Sequence, residues 1–274
     1  MNILKLIAKN WLPPILLRWI RQARGGSVRF EGCFETWEKA SAQCTGYDAD
    51  DILAKVLEAT LKVKNGEAAF ERDSVLFDKV EYALPVLSGL MWAAARNGGV
   101  LNVLDFGGAL GSSYFQNRNF LLTLPSLKWN VVEQSHYVEA GQAYIQDDVV
   151  HFYKSIDACL VENMPNVILL SSVLQYLEEP IEIIEKLATV GASVLIIDRT
   201  PFVMGKQDML MIQHVPTSIY QASYPMWAFS ESNLMKILNR DWKLFTEILS
   251  PEGVVRSTDG LIFSFKGALM GSRK

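Results

Sequence analysis

Val103-Leu104-Asp105-Phe106-Gly107-Gly108-Ala109-Leu110-Gly111-Ser112-Ser113 is the stretch on which the fold turns. An apolar run ends in an acid, passes into a glycine-rich turn, and reaches serines able to cap a helix. Glycine is required where φ is positive or where a ligand comes close to the backbone. The N–H groups at the start of the following helix are open to an anion. Two familiar glycine patterns fail on the residues. No GxxxxGK[ST] occurs, which excludes a P-loop. For GxGxxG, counting from Gly107 needs glycine at 109 and 112, which are Ala and Ser. Counting from Gly108 needs it at 110 and 113, which are Leu and Ser. What fits is acid-x-Gly-x-Gly-x-Gly with one position relaxed: Asp105, Gly107, Ala109, Gly111.

Downstream of this turn, apolar runs alternate with helical ones. Val100–Phe106, Trp129–Glu133, Val149–Tyr153, Asn166–Ser171 and Ser193–Asp198 read as buried strands, and Pro180–Thr189 as one of the intervening helices. Such alternation implies right-handed crossovers and a parallel sheet. The end differs: a helix over Ser230–Leu238, then strands Trp242–Leu249 and Leu261–Lys266 around the turn-rich Ser250–Gly260, an antiparallel pair at the sheet edge. Upstream, residues 47–98 read as helices, one stopped at Asn65–Gly66 and a second from about Val75 to Arg96. The expected division is an N-terminal segment over 1–46, a helical extension over 47–99 that covers the site, the α/β domain over 100–267, and a tail over 268–274.

The 274 residues are half apolar and a fifth charged, an ordinary globular balance, and the net charge of −4 offers no basic field for nucleic acid. Cys33, Cys44 and Cys159 lack CxxC spacing and read as reduced thiols. The three histidines are scattered; His136 and His151 read as structural, and no metal is expected. Residues 1–30 carry Lys5, Lys9, Arg18, Arg21, Arg24 and Arg29 and no acid. Their apolar residues recur at helical spacing on either side of Pro13–Pro14. Lys9 and Arg18 interrupt the run too soon for a spanning helix, and no clean cleavage site marks a secretory signal. Two readings stand: a basic element lying on an anionic membrane surface, or a helix packed on the domain.

The Asp105–Gly111 pattern resembles motif I of the class I S-adenosylmethionine methyltransferases. The resemblance extends over about residues 75–266. Trp129-Asn130-Val131-Val132-Glu133 is similar to the family's second strand and its closing acid, and Ile168–Leu177 to the polar segment and helix after its fourth strand. The resemblance implies a Rossmann-like, seven-stranded, mostly parallel sheet in the order 3-2-1-4-5-7-6, with helices on both faces. More narrowly, Asp105-Phe106-Gly107-Gly108, Trp129–Gln134 and Ile197–Phe202 look like a family of bacterial methyltransferases whose genes tend to lie among those for surface polysaccharides. Ala109 departs from the pattern at the middle glycine.

S-adenosylmethionine carries a sulfonium, an amino-acid zwitterion, a ribose diol and adenine. On this reading Gly107, Gly108 and Gly111 admit its amino-acid end, Asp105 reaches the ammonium, and Glu133 with Gln134 takes the ribose. Asp157 accepts from adenine, and Ser171 borders the same site. The acceptor pocket falls to the insert at 199–227, beyond the carboxyl ends of the strands. Arg199, Tyr220 and Tyr224, with Gln175, Tyr176 and Tyr114, are its candidate lining. Gln116, Asn117, Arg118, Ser172, Gln213 and Trp227 are further candidates. Polar groups among aromatic rings suit a sugar. A hydroxyl acceptor benefits from a general base; His214 is the first choice and Asp198 the second. Alternatives remain open: His214 as a surface residue, Arg199 as an ion-pair partner of Asp198, a nucleotide-dependent oxidoreductase, or a non-catalytic scaffold in glycan assembly. The expected setting is cytoplasmic, peripheral at a bacterial inner membrane.

Overall fold

The computed structural model describes residues 28–45, 50–72, 74–216 and 222–273. Nearly all of the basic segment 1–30, and Tyr220, lie outside the described residues.

The N-terminal part runs β1 (Arg29–Phe34), α1 (Trp37–Ser41), α2 (Asp50–Lys64), β2 (Phe70–Arg72), β3 (Val75–Phe77) and α3 (Leu84–Arg96). The central part follows as β4 (Val100–Phe106), α4 (Ser112–Leu121), β5 (Ser126–Val132), α5 (Ser135–Ala140), β6 (Val150–Tyr153), α6 (Ile156–Glu162), β7 (Val167–Ser171), α7 (Pro180–Ala188) and β8 (Val194–Val203). The chain closes with β9 (Met209–Val215), β10 (Ala222–Ser230), α8 (Glu231–Leu238), β11 (Trp242–Arg256) and β12 (Ile262–Ser272). Local sequence explains several boundaries. Proline stands at the start of α3 and of α7, where its missing N–H costs nothing. The Ser155 hydroxyl caps α6 by accepting from the Ala158 N–H at 3.1 Å.

Strands β4, β5, β6, β7 and β8 are mutually parallel, with β4 between β5 and β7. Consecutive residues of these strands go to opposite faces, as the pleat requires. Val103, Val131, Leu169 and Ile196 join one core under α2–α5; Leu104, Val132, Leu170 and Ile197 join the other under α6–α8. Helices thus cover both faces, which is why these strands read as continuous apolar runs.

The sheet is larger and differently ordered than the seven-stranded expectation. It has ten strands, with the hydrogen-bonded path β1-β9-β10-β8-β7-β4-β5-β6 and the β11–β12 pair attached through β12 to β8. Followed through β12 rather than β10, the succession is β6-β5-β4-β7-β8-β12-β11. The departure has one physical origin. β8 continues to Val203, beyond the pairing with β7 that ends at Ser171–Asp198. Its vacated edge is taken by Phe229 and Ser230 of β10, in parallel. The insert at 199–227 is therefore largely sheet. β9 pairs antiparallel with β10, and β1, within the N-terminal segment expected over 1–46, pairs antiparallel with β9.

Three further boundaries move. The helix expected from Val75 begins at Leu84, because Phe70–Arg72 and Val75–Phe77 form a two-stranded ribbon with Phe70 and Phe77 stacked at 5.7 Å. β11 passes through Ser250 to Arg256 by way of a register shift between Leu249 and Val254. The supposed tail is strand: Ala268–Gly271 pairs with Ile197–Val194 of β8.

Candidate active site

Strands β4 and β5 end side by side, with Phe106 opposite Val132. The Gly107 N–H donates to the Val132 carbonyl at 2.9 Å and starts the turn. Gly107, Ala109 and Gly111 take φ of 71°, 48° and 87°, and the Gly111 N–H closes on the Gly108 carbonyl at 2.8 Å before α4 begins. Alternate left-handed residues are what glycine supplies without cost; at Ala109 the conformation costs about 1–2 kcal/mol. A Cβ on Gly107 would strike Val173, and one on Gly108 would strike the Asp105 carboxylate. The glycines thus answer first to the protein's own packing behind the turn, and not only to a ligand in front of it.

Asp105 is 1% exposed and accepts the Trp129 indole N–H at 2.9 Å. Burial pushes its carboxyl up to about 7; the Trp129 hydrogen bond opposes this, and the Glu133 charge adds to it. Glu133 stands just past the end of β5, half-buried, where its Oε2 accepts the Gln134 N–H at 2.8 Å. Burial raises its pKa against that bond. Asp105, Gly107, Gly108, Glu133, Gln134 and Ser171 all line one cavity of about 1920 Å³. A pocket for one drug-sized ligand spans roughly 300–1,000 Å³, so this one has room for two small molecules side by side. Gly111 lies beneath the turn and is not part of the lining.

The far half of the cavity is walled by the ends of β7 and β8 and by the β9–β10 hairpin. Asp198, 6% exposed, accepts the Ser171 hydroxyl at 3.2 Å and lies 3.4 Å from Arg199 Nε. Burial raises its pKa, with Arg199 and Ser171 opposing. Arg199 Nη2 also donates to Ser171 Oγ at 3.2 Å. Ser172 and Arg199 are both left-handed, at φ of 59° and 49°. They are held so by two bonds: Ser172 N–H to the Asp198 carbonyl at 2.9 Å, and Gln175 Nε2 to the Arg199 carbonyl at 3.3 Å. Tyr176 donates to Gln213 Oε1 at 3.0 Å, Gln213 Nε2 donates to the Tyr224 hydroxyl at 3.2 Å, and the two tyrosine rings meet edge-on at 5.0 Å.

Several candidates fall elsewhere. His214 is excluded from the cavity by strand alternation: on β9, Gln213 and Val215 face inward, and His214 points to the other side, its Nε2 2.7 Å from Glu31 Oε1. Asp157 sits on the outer side of α6, where it accepts from Lys186 at 2.6 Å; Ser155 and Ile156 line the cavity instead. Tyr114 is a core residue packed on Phe115 and Trp129. Gln175 is fully buried and acts behind the wall, on Ser172 and Arg199. Asn117 and Arg118 bond backbone carbonyls of Ser113 and Val63, and Trp227 that of Leu177. Gln116 does reach the cavity, donating to the Glu81 carbonyl.

Sequence reading missed Glu71. It lies on β2, 2% exposed, bonded to the Ser112 hydroxyl and to the Ser74 N–H at 3.2 Å, and it lines the cavity beside the glycine turn. The signal was the short Phe70–Arg72 and Val75–Phe77 runs about Asp73–Ser74, a hairpin pattern lying across the presumed start of the second helix. Glu252, on the irregular part of β11, also lines the cavity and hydrogen-bonds Ser250. Among the described residues no group of three or more His, Cys, Asp or Glu could hold a metal ion.

No family model matches the chain, and no curated protein matches it by sequence. Solved structures are similar to it at low identity. The N-terminal domain of EvdMO1, crystallised in the presence of SAH and D-fucose, is 11% identical with a TM-score of 0.47, over 82% of this chain and 98% of that one. The 1,6-didemethyltoxoflavin-N1-methyltransferase of Burkholderia thailandensis, with S-adenosylhomocysteine bound, is 15% identical at a TM-score of 0.41, over 84% and 97%. Magnesium protoporphyrin IX methyltransferase of Synechocystis PCC 6803, with bound SAM, is 15% identical at 0.40, over 82% and 99%. Likeness at this level carries no residue roles across.

Proposed function

We propose that the protein transfers a methyl group from S-adenosylmethionine to a hydroxyl of a sugar or lipid-linked glycan. The observation that carries the reading is the meeting, over one cavity large enough for two ligands, of the Asp105–Gly111 turn and Glu133 at the ends of adjacent parallel strands. The residues present fit the cofactor chemically. Glu133 offers a carboxylate to two ribose hydroxyls, Gly107 and Gly108 keep the turn free of side chains, and the acids Asp105 and Glu133 suit a ligand bearing positive charge. S-adenosylmethionine supplies a methyl group already activated on sulfur, so the chain's task is positioning.

Across the cavity, Asp198 is the candidate base. Its raised pKa brings it nearer to neutrality, where a carboxylate takes a hydroxyl proton more readily. Arg199 and Ser171 fix its orientation. Tyr176, Gln213 and Tyr224 form a linked polar and aromatic wall of the kind that receives a sugar. With residues 1–30 resting on an anionic lipid surface, the acceptor would be met at the cytoplasmic face of a bacterial inner membrane. No helix among the described residues is long and apolar enough to cross a membrane.

Calorimetry on one sample decides the cofactor: S-adenosylmethionine should bind and NAD should not, and the reverse result would favour an oxidoreductase. Transfer of labelled methyl into a bacterial lipid-linked glycan fraction tests the acceptor. Cofactor binding without such label would leave the first half of the proposal and remove the second.

A further inference from the structure

Strand β11 does not keep step with β12 where it passes the acceptor half. Leu249 stands opposite Lys266 and Val254 opposite Ser264, so β11 spends more residues than β12 between the two pairings and bulges there. The bulge carries apolar side chains into solvent: Leu249 is 81% exposed and Val254 62%. Both line the cavity, as does the exposed Val28, where the described chain begins. The stretch borders the acceptor half, since the Glu252 charge reaches Asp198 and Val255 packs on the Phe30–Phe265 cluster that also takes Tyr176. β1 is fastened to the β11–β12 turn at the same place. The Thr258 N–H donates to the Phe30 carbonyl at 2.9 Å, and the Gly32 N–H to Asp259 Oδ2 at 2.6 Å.

One exposed apolar side chain needs no explanation; a group of them around the mouth of one cavity does. Their surroundings are basic. Arg256 lines the mouth, is exposed, and has no ion-pair partner among the described residues. Residues 1–27 join the chain at Val28 and carry Lys5, Lys9, Arg18, Arg21 and Arg24 with no acid. We infer that this rim is where the folded domain rests on an anionic lipid surface, with Val28, Leu249 and Val254 entering the acyl boundary and Arg256 staying among the phosphates. The acceptor half then opens onto the bilayer, and an acceptor held by its lipid reaches Asp198 without leaving the membrane. The inference deepens the lipid-linked reading of the acceptor given above and rests on it.

Sedimentation of the full chain with vesicles of mixed phosphatidylglycerol and phosphatidylcholine, at low salt, tests the rim. Native protein should bind, and amide exchange over residues 249–256 should slow on the vesicles. Leu249→Ser combined with Val254→Ser should weaken binding about tenfold or more, because partition follows the apolar area buried. Arg256→Gln should weaken it about fivefold, a loss that fades at high salt. Binding that the serine variant keeps, or exchange over 249–256 that lipid leaves unchanged, would leave the membrane to residues 1–27 alone and overturn the inference. So would equal binding to vesicles of phosphatidylcholine alone, or exchange that slows with protein concentration instead of lipid, the mark of a second copy on the rim. The exchange measurement uses the native chain and stands even if the serine variant misfolds. Vesicle binding needs neither cofactor nor glycan. Native protein that ignores the vesicles yet passes labelled methyl to lipid-linked glycan loses the rim and keeps the acceptor; a rim that binds, in a protein that labels no such glycan, keeps the membrane contact and loses the acceptor.

Discussion

At the scale of single residues, the site is a set of acids placed where water is scarce. Glu133 is the one whose loss should be felt most cleanly, because it stands beyond the end of β5 and props up nothing but the Gln134 N–H. Glu133→Ala should weaken S-adenosylmethionine binding by about ten- to a hundredfold, from the roughly 1.5–3 kcal/mol of a charged hydrogen bond, without lowering the melting temperature. Unchanged affinity by calorimetry would take Glu133 out of the site. Gly107→Val should fail differently. Its φ of 71° and the Val173 side chain behind it both oppose a branched residue. About 1–3 kcal/mol of strain is expected from each cause, so the variant should melt several degrees lower even with no ligand present. A native-like melt would mean that the turn relaxes.

At the scale of elements, what was readable in the sequence and what was not divide along the origin of the signal. β4, β5, β7 and the inner part of β8 are buried on both faces, so their apolar runs announced them, and the acid and glycine positions at their ends followed. β1 exists because β9, distant in sequence, offers it an edge, and β2 and β3 are three-residue strands too short for a residue pattern to declare them. Glu31 and His214, or Phe70 and Phe77, have no visible relation until they pair. The misplacement of His214 has the same root. Once Met209–Val215 is a strand, a shift of one residue exchanges the inner face for the outer, and Gln213 takes the inward place. His214→Ala should accordingly leave turnover intact. Asp198→Asn should lower it by about 10²- to 10⁴-fold, the usual worth of a positioned base, with S-adenosylmethionine affinity retained. Labelled-methyl transfer with both variants checks the pair, and a dead His214→Ala would require the β9 wall to move during the reaction.

At the scale of the whole molecule, the buried acids leave a mark on stability. Unfolded Asp105 titrates near 3.8 and the folded residue at about 7. Between those values the folded chain keeps a proton that the unfolded chain has released, so stability falls as pH rises through the window and the loss is complete above about 7. Glu133 and Asp198 are shifted in the same direction. Asp105→Asn can still accept the Trp129 N–H, and it should flatten the decline in melting temperature between pH 5 and pH 8. Parallel melting curves for the two proteins across that range would refute the shifted carboxyl.

The pairing of β1 with β9 bears on how the chain comes together. Phe30 is tied to Thr258 by the hydrogen bond from the Thr258 hydroxyl at 3.2 Å, across 228 residues. Residues 29–34 precede β9 (Met209–Val215) and Thr258 by a long stretch of chain and cannot dock until both have been made. Contacts so distant form slowly, since the intervening chain must first be gathered. Until β1 docks, β9 presents, among the described residues, an unpaired edge on which two newborn chains can meet.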